Sequence, residues 1–290
     1  MTADPRSLYH QIRWTAEKLK KRLYVIGPMA YRRRLGFSPF RYRELDGPRA
    51  RPLVEPGMDD ADWPEIPWGG FWGRADASFV LRTTFQIPEE WAREGPLALL
   101  LPIDEAGDFS HPDCLVYMDG QPLASCDRHH QEVRLPDGLA DGRPHTLALH
   151  GWAGGAPDFS FSEPGVIRGG SDIQLRMKPC HVVQVDSPTR ELIARARVAL
   201  GTACALPDDD PTRAHLFNAL DEAFKRLDTL EPLGDEFYAS VPVALAALRE
   251  GIGRAGAPLD ADVTAVGHAH IDVAWLWTLD QTRHKAGRTF

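Results

Sequence analysis

The sequence predicts a multidomain α+β chain: an N-terminal helix, a jelly-roll-like β-sandwich, a helical linker layer, and the first strand of a truncated α/β barrel. Three observations predict it. Six short apolar stretches, separated by Gly, Pro and Asp, lie between Phe79 and Val185. Two helix-start signals follow, Ser187-Pro188 and Asp210-Pro211. Last comes an apolar run, Val263 to Gly267, that leads into His268-Ala-His270-Ile-Asp272. The expected boundaries are residues 1–45 for the helical segment, 46–186 for the sandwich, 187–256 for the helical linker and 261–290 for the barrel start.

From Ser7 to Tyr24 the apolar residues Leu8, Ile12, Leu19 and Leu23 recur at helical intervals with basic residues between them, the pattern of an amphipathic helix. The YRRRLGF stretch that follows is read as a solvated or salt-bridged surface. Between about Asp46 and Pro67, Pro and Asp are frequent and the chain is read as irregular.

Strand texture begins at Phe79. Phe79 to Ile87 alternates large apolar with smaller or polar side chains, and Leu97 to Ile103 is a continuous apolar run suited to a sandwich core. Leu115 to Leu123 contains Asp119-Gly120, a dipeptide that accepts the positive φ angles of a tight hairpin. Glu132 to Leu135, Thr146 to Trp152 and Val182 to Val185 complete the set. Ser187 as N-cap with Pro188 in the first turn starts a helix, because proline lacks the N–H that would be unpaired there. After Asp210-Pro211, the residues Leu216, Leu220, Ala223, Phe224 and Leu227 share one helical face. A third helix is predicted from about Glu236 to Gly251, ending in a turn-rich stretch up to Pro258.

Composition excludes several classes. With 290 residues, 43% hydrophobic and 26% charged, the chain has globular composition and a net charge of −8, which offers nucleic acid no general electrostatic attraction. The first residues lack the apolar core of a signal peptide, and no stretch reaches the roughly 18 consecutive apolar residues of a membrane span. Cys114, Cys126, Cys180 and Cys204 form no CxxC pair and read as free buried thiols of a reducing compartment. A cytoplasmic protein with no membrane or nucleic-acid partner is expected.

The chemistry concentrates in VGHAHIDVAWLW. On an extended backbone His268, His270 and Asp272 share one face, and a neutral nitrogen with an anionic oxygen suits zinc or a similar divalent ion. Spacing alone leaves open which of the three are ligands. Trp63, Trp68, Phe71 and Trp72 are read as sandwich-edge packing rather than a sugar platform. His129-His130 would point to opposite faces of a strand. There is no GxSxG elbow, GxGxxG or phosphate-binding loop.

HAHIDVAWLW followed by TLDQTRHKAGRTF resembles the start of the catalytic domain in α-mannosidases of glycoside hydrolase family 38. The upstream order of helix, sandwich and helical linker is similar to the long, intracellular members of that family. Gly70-Phe-Trp-Gly73, with a strand ending at Gln86-Ile-Pro88, is similar to the entry into their sandwich. The resemblance implies retaining hydrolysis of terminal α-D-mannosides in a mannose-containing oligosaccharide, with one divalent metal, zinc or cobalt. It makes His270 and Asp272 metal ligands, leaves His268 as a neighbour that does not touch the ion, and puts Trp275 at the sugar. It leaves Trp277, Arg283 and His284 to packing or surface. The nucleophile, the acid/base and the remaining ligands are expected beyond Phe290, so that the chain alone would be inactive; a homo-oligomer is possible on this reading. A metal-dependent amidohydrolase would instead pair His268 with His270, and a carbohydrate-binding or scaffold module would use the sandwich alone.

Overall fold

The structure is a computed structural model that describes residues 15–93, 95–103, 112–154, 158–159, 167–168, 175–256, 261–273 and 277–289. These fall into two compact units, Met1–Arg33 with Val185–Ala265, and Arg34–Gln184 with Val266–Phe290.

The first unit is helical: α1 Thr15–Ile26, α2 Ser187–Ala205, α3 Pro211–Lys225 and α4 Asp235–Ala255. Leu19, Leu23 and Ile26 of α1 join Leu192, Ala196, Leu200, Phe217, Leu220, Phe224, Phe237, Val241 and Leu248 in one apolar cluster. The sequence placed the start of α1 at Ser7; residues 7–14 lie outside the described residues. The cap of α2 is Asp186 rather than Ser187, since its carboxylate accepts from the Thr189 N–H and a carboxylate is the stronger acceptor. Asp210 caps α3 as expected, accepting from Thr212. The predicted break at Gly251 is absent: α4 runs through it to Ala255. A Cβ on Gly251 would stand 2.5 Å from the Ala219 Cβ, so this glycine serves close helix packing and not chain reversal.

The strands are β1 Tyr31–Gly36, β2 Phe40–Leu45, β3 Glu65–Ile66, β4 Phe71–Trp72, β5 Ser78–Gln86, β6 Leu97–Leu100, β7 Asp113–Met118, β8 Gln121–Cys126, β9 Glu132–Arg134, β10 Pro144–Trp152, β11 Asp158–Phe159, β12 Ile167–Arg168, β13 Leu175–Arg176 and β14 His181–Val185; with helix α5 Leu279–Thr289 they make up the second unit, except that β1 begins and β14 ends in residues of the first. One sheet has the order β3-β2-β5-β10-β7-β8 and another β1-β14-β6-β9. Pairing is antiparallel throughout the six-stranded sheet and between β14, β6 and β9. Phe79, Leu81, Val116 and Leu149 from the first sheet meet Leu99, Val133 and Val182 from the second in one apolar cluster. Inward side chains alternate along β5, so its other face is left to Val80 and Arg82.

The β7–β8 hairpin turns at Asp119 (φ 49°) and Gly120 (φ 81°), both positive as a two-residue turn of this twist requires. Two expectations are corrected. β1 and β2 fall inside the stretch read as a helical segment up to residue 45: YRRRLG is a strand whose alternate residues are half-buried. Val263 to Gly267 forms no strand; Val263 is 89% and Val266 82% exposed. A β-rich run without a partner strand has no ladder to complete, and local propensity alone does not supply one.

Candidate metal centre

Residues 261–272 carry no regular structure and are largely exposed. Within them the His270 Nε2 lies 2.8 Å from the Asp272 Oδ1. The His268 ring instead lies parallel to that of His270, with centroids 6.4 Å apart and planes at 14°. The structure thus brings together His270 and Asp272 and sets His268 beside them; Trp275 lies outside the described residues.

A metal fits this pair on the chemistry of its donors, a neutral imidazole nitrogen and an anionic oxygen. Two donors about 2.1 Å from a tetrahedral ion stand about 3.4 Å apart. The observed 2.8 Å is about 0.6 Å shorter and is a direct hydrogen-bond contact, so the two groups would have to part to share an ion. No third donor joins them: among the described residues no group of three or more His, Cys, Asp or Glu is placed to hold an ion.

The segment is tied to the helix that follows. The Trp277 indole N–H donates to the Asp272 carbonyl at 3.1 Å and to the Thr282 hydroxyl at 3.0 Å. Thr278 starts α5, its hydroxyl accepting from the Gln281 N–H at 3.3 Å. Arg283 pairs with Asp280 at 3.1 Å, and Asp280 also receives Arg49 at 2.8 Å.

Other titratable clusters are structural. His145 is buried with its Nδ1 2.7 Å from Asp119 and its Nε2 3.1 Å from Asp141, one carboxylate on each side of the ring, so the three cannot converge on one ion. His130 bonds Asp127 within a turn. Cys114, Cys126 and Cys180 are buried thiols as expected, whereas Cys204 is exposed. Trp63 and Trp72 are buried, and Trp72 donates to the Ile103 carbonyl at 2.9 Å. Trp68 packs edge-on against Phe40, while Phe71 is 63% exposed.

Comparison with known proteins bears on the same segment. The model of the glycosyl hydrolases family 38 N-terminal domain matches residues 260–290. Alpha-mannosidase 2C1 of Homo sapiens is 24% identical over 217 residues, covering 72% of this chain and 19% of the relative. The Mus musculus protein of the same name is 25% identical over 189 residues, covering 62% of this chain and 17% of the relative. The chain resembles the N-terminal portion of a family 38 α-mannosidase. It spans about a fifth of the length of these curated relatives. A glycosyl hydrolase family 2 member from Bacteroides cellulosilyticus superposes with TM-score 0.33 at 13% identity, over 54% of this chain and 21% of that one. A superposition that loose bears on neither fold nor function. No described helix is long and apolar enough to cross a membrane.

Sequence reasoning did not find Asp113, Lys285 and Arg288, which hold α5 on the strand unit. Asp113 is 172 residues before Lys285 and 175 before Arg288, and no local pattern announces a pairing across that distance.

Proposed function

We propose that this chain is the N-terminal part of a retaining α-mannosidase of glycoside hydrolase family 38, acting on terminal α-D-mannosides of a mannose-containing oligosaccharide. What carries the reading is the HAHID segment, which lies inside the family match and holds two donors, His270 and Asp272, at 2.8 Å. These two would hold one divalent ion, zinc or cobalt. When bound, that ion supplies orientation and polarisation of sugar hydroxyls.

The rest is the work of the protein groups. Asp272 brings the negative charge that selects a cation, and its backbone carbonyl, fixed by Trp277, restricts where the carboxylate can swing. Trp275 would offer an aromatic face to the pyranose C–H groups. Retention requires two carboxyl groups about 5 Å apart, one as nucleophile and one as acid and then base. We assign both, and the further ligands, to chain outside these 290 residues, so the chain alone is inactive in this proposal. A cytoplasmic location and a homo-oligomer belong to the same reading.

An aryl α-mannoside assay with added zinc or cobalt tests it, run on this chain and on a version extended through the remainder of the family domain. Metal-dependent turnover by the extended version alone is expected, lost on His270→Ala. An extended version that folds yet leaves α-mannosides intact contradicts the assignment.

A further inference from the structure

Asp113, the first residue of β7, is buried at 6% relative exposure. Two cations of α5 converge on its carboxylate: Arg288 donates from Nε to Oδ1 at 2.7 Å, and Lys285 donates from Nζ to Oδ2. The Arg288 side chain is itself only 8% exposed. Ser125 of β8 donates its hydroxyl to the Arg288 carbonyl, which fixes the same end of the helix. From α5 the connection runs back along the chain. Thr282 and the Asp272 carbonyl share the Trp277 indole N–H, and Asp272 faces His270.

We infer that Asp113 is a positioning residue for the His270–Asp272 pair, a carboxylate latch that seats α5 on the strand unit and through Trp277 fixes the Asp272 backbone. The inference rests on reading that pair as metal ligands. One buried carboxylate accepts from both cations and offsets one of their two positive charges; without it the buried Arg288 guanidinium would lose its counter-charge beside the like charge of Lys285. Breaking such an arrangement from one side is far more costly than never having built it. The helix would then leave the sheet, taking the Trp277 tie with it.

The test uses the 290-residue chain without metal, followed by NMR and amide hydrogen exchange. Asp113→Asn should raise exchange in α5 by roughly tenfold or more, move the Trp277 indole resonance towards its solvent-exposed position and shift the His270 ring signals, while amides of β5 and β10 keep their protection. Asp113→Glu should restore part of the wild-type pattern. The pair Lys285→Met and Arg288→Met releases the latch without touching a strand, so it decides the matter if Asp113→Asn fails to fold. Unchanged α5 exchange in that double variant overturns the inference, as does a freed α5 with His270 signals left in place. Neither readout involves metal or mannoside. A wrong metal assignment would instead appear as wild-type chain that binds no cobalt while the latch behaves as described.

Discussion

Arg82 holds Asp60 at 2.8 Å from a strand position that is 3% exposed. The same guanidinium donates to the carbonyls of Leu53 at 3.1 Å and Glu55 at 3.0 Å, while Arg41 takes the other Asp60 oxygen at 2.7 Å. The Pro- and Asp-rich stretch that the sequence marks only as irregular is therefore tied across the outer face of β5 by Arg82, with Arg41 sharing Asp60. Arg82→Met should cost about 2–4 kcal/mol in urea unfolding, because it strands a partly buried carboxylate and two carbonyls. Arg82→Lys should recover little, since a single ammonium cannot reproduce the planar fork. Wild-type stability in Arg82→Met would show that the stretch is held by other means.

Two histidines should give stability opposite pH dependences. Burial, with the charges of Arg288 and His284 nearby, pushes His150 from 6.5 down to about 4. The unfolded chain then binds the extra proton first, so this contribution is present above 6.5 and is lost as pH falls towards 4. Burial alone would lower His145 as well, but its hydrogen bonds to Asp119 and Asp141 carry it above 6.5. Its contribution is complete below 6.5 and is lost as pH rises through the folded value. Unfolding free energies measured across this range should lose their acid-side slope in His150→Asn and their alkaline-side slope in His145→Asn. Parallel curves for wild type and both variants would contradict these environments.

Gly251 should tolerate no side chain while Ala219 stands opposite. Gly251→Ala places a methyl 2.5 Å from the Ala219 Cβ, and overpacking of this kind costs about 1–3 kcal/mol. This outweighs the roughly 1 kcal/mol that alanine gains over glycine inside a helix. Adding Ala219→Gly should return part of the loss, by thermal or urea unfolding, since the methyl would still stand 3.0 Å from the residue 219 Cα and a glycine inside α3 costs about 1 kcal/mol. A stabilised Gly251→Ala single variant would mean that α3 and α4 do not approach so closely.

These cases mark what the sequence reveals and where it falls silent. The hairpin at Asp119-Gly120 and the caps at Asp186 and Asp210 are written in local chemistry, within a residue of where they stand. The inward residues Phe79, Leu81 and Phe85 of β5 follow from alternation. β1 leaves no strand signal because three arginines occupy YRRRLG, and a strand with only one half-buried face shows no apolar run. Gly251 suggests a helix end because a glycine that serves a close helix contact looks the same in sequence as one that serves a turn. His270 and Asp272 were legible by spacing and resemblance, but their 2.8 Å approach and the distant latch at Asp113 depend on tertiary contacts that leave no periodic trace.

Cobalt binding by the 290-residue chain, followed through the histidine ring resonances at millimolar metal, is the measurement on which the metal assignment stands. Ligation by His270 and Asp272 predicts large paramagnetic shifts of the His270 ring, loss of the effect in His270→Ala and in Asp272→Ala, and its survival in His268→Ala. Equal loss in His268→Ala together with retention in Asp272→Ala would contradict it, and would give the site to the two histidines.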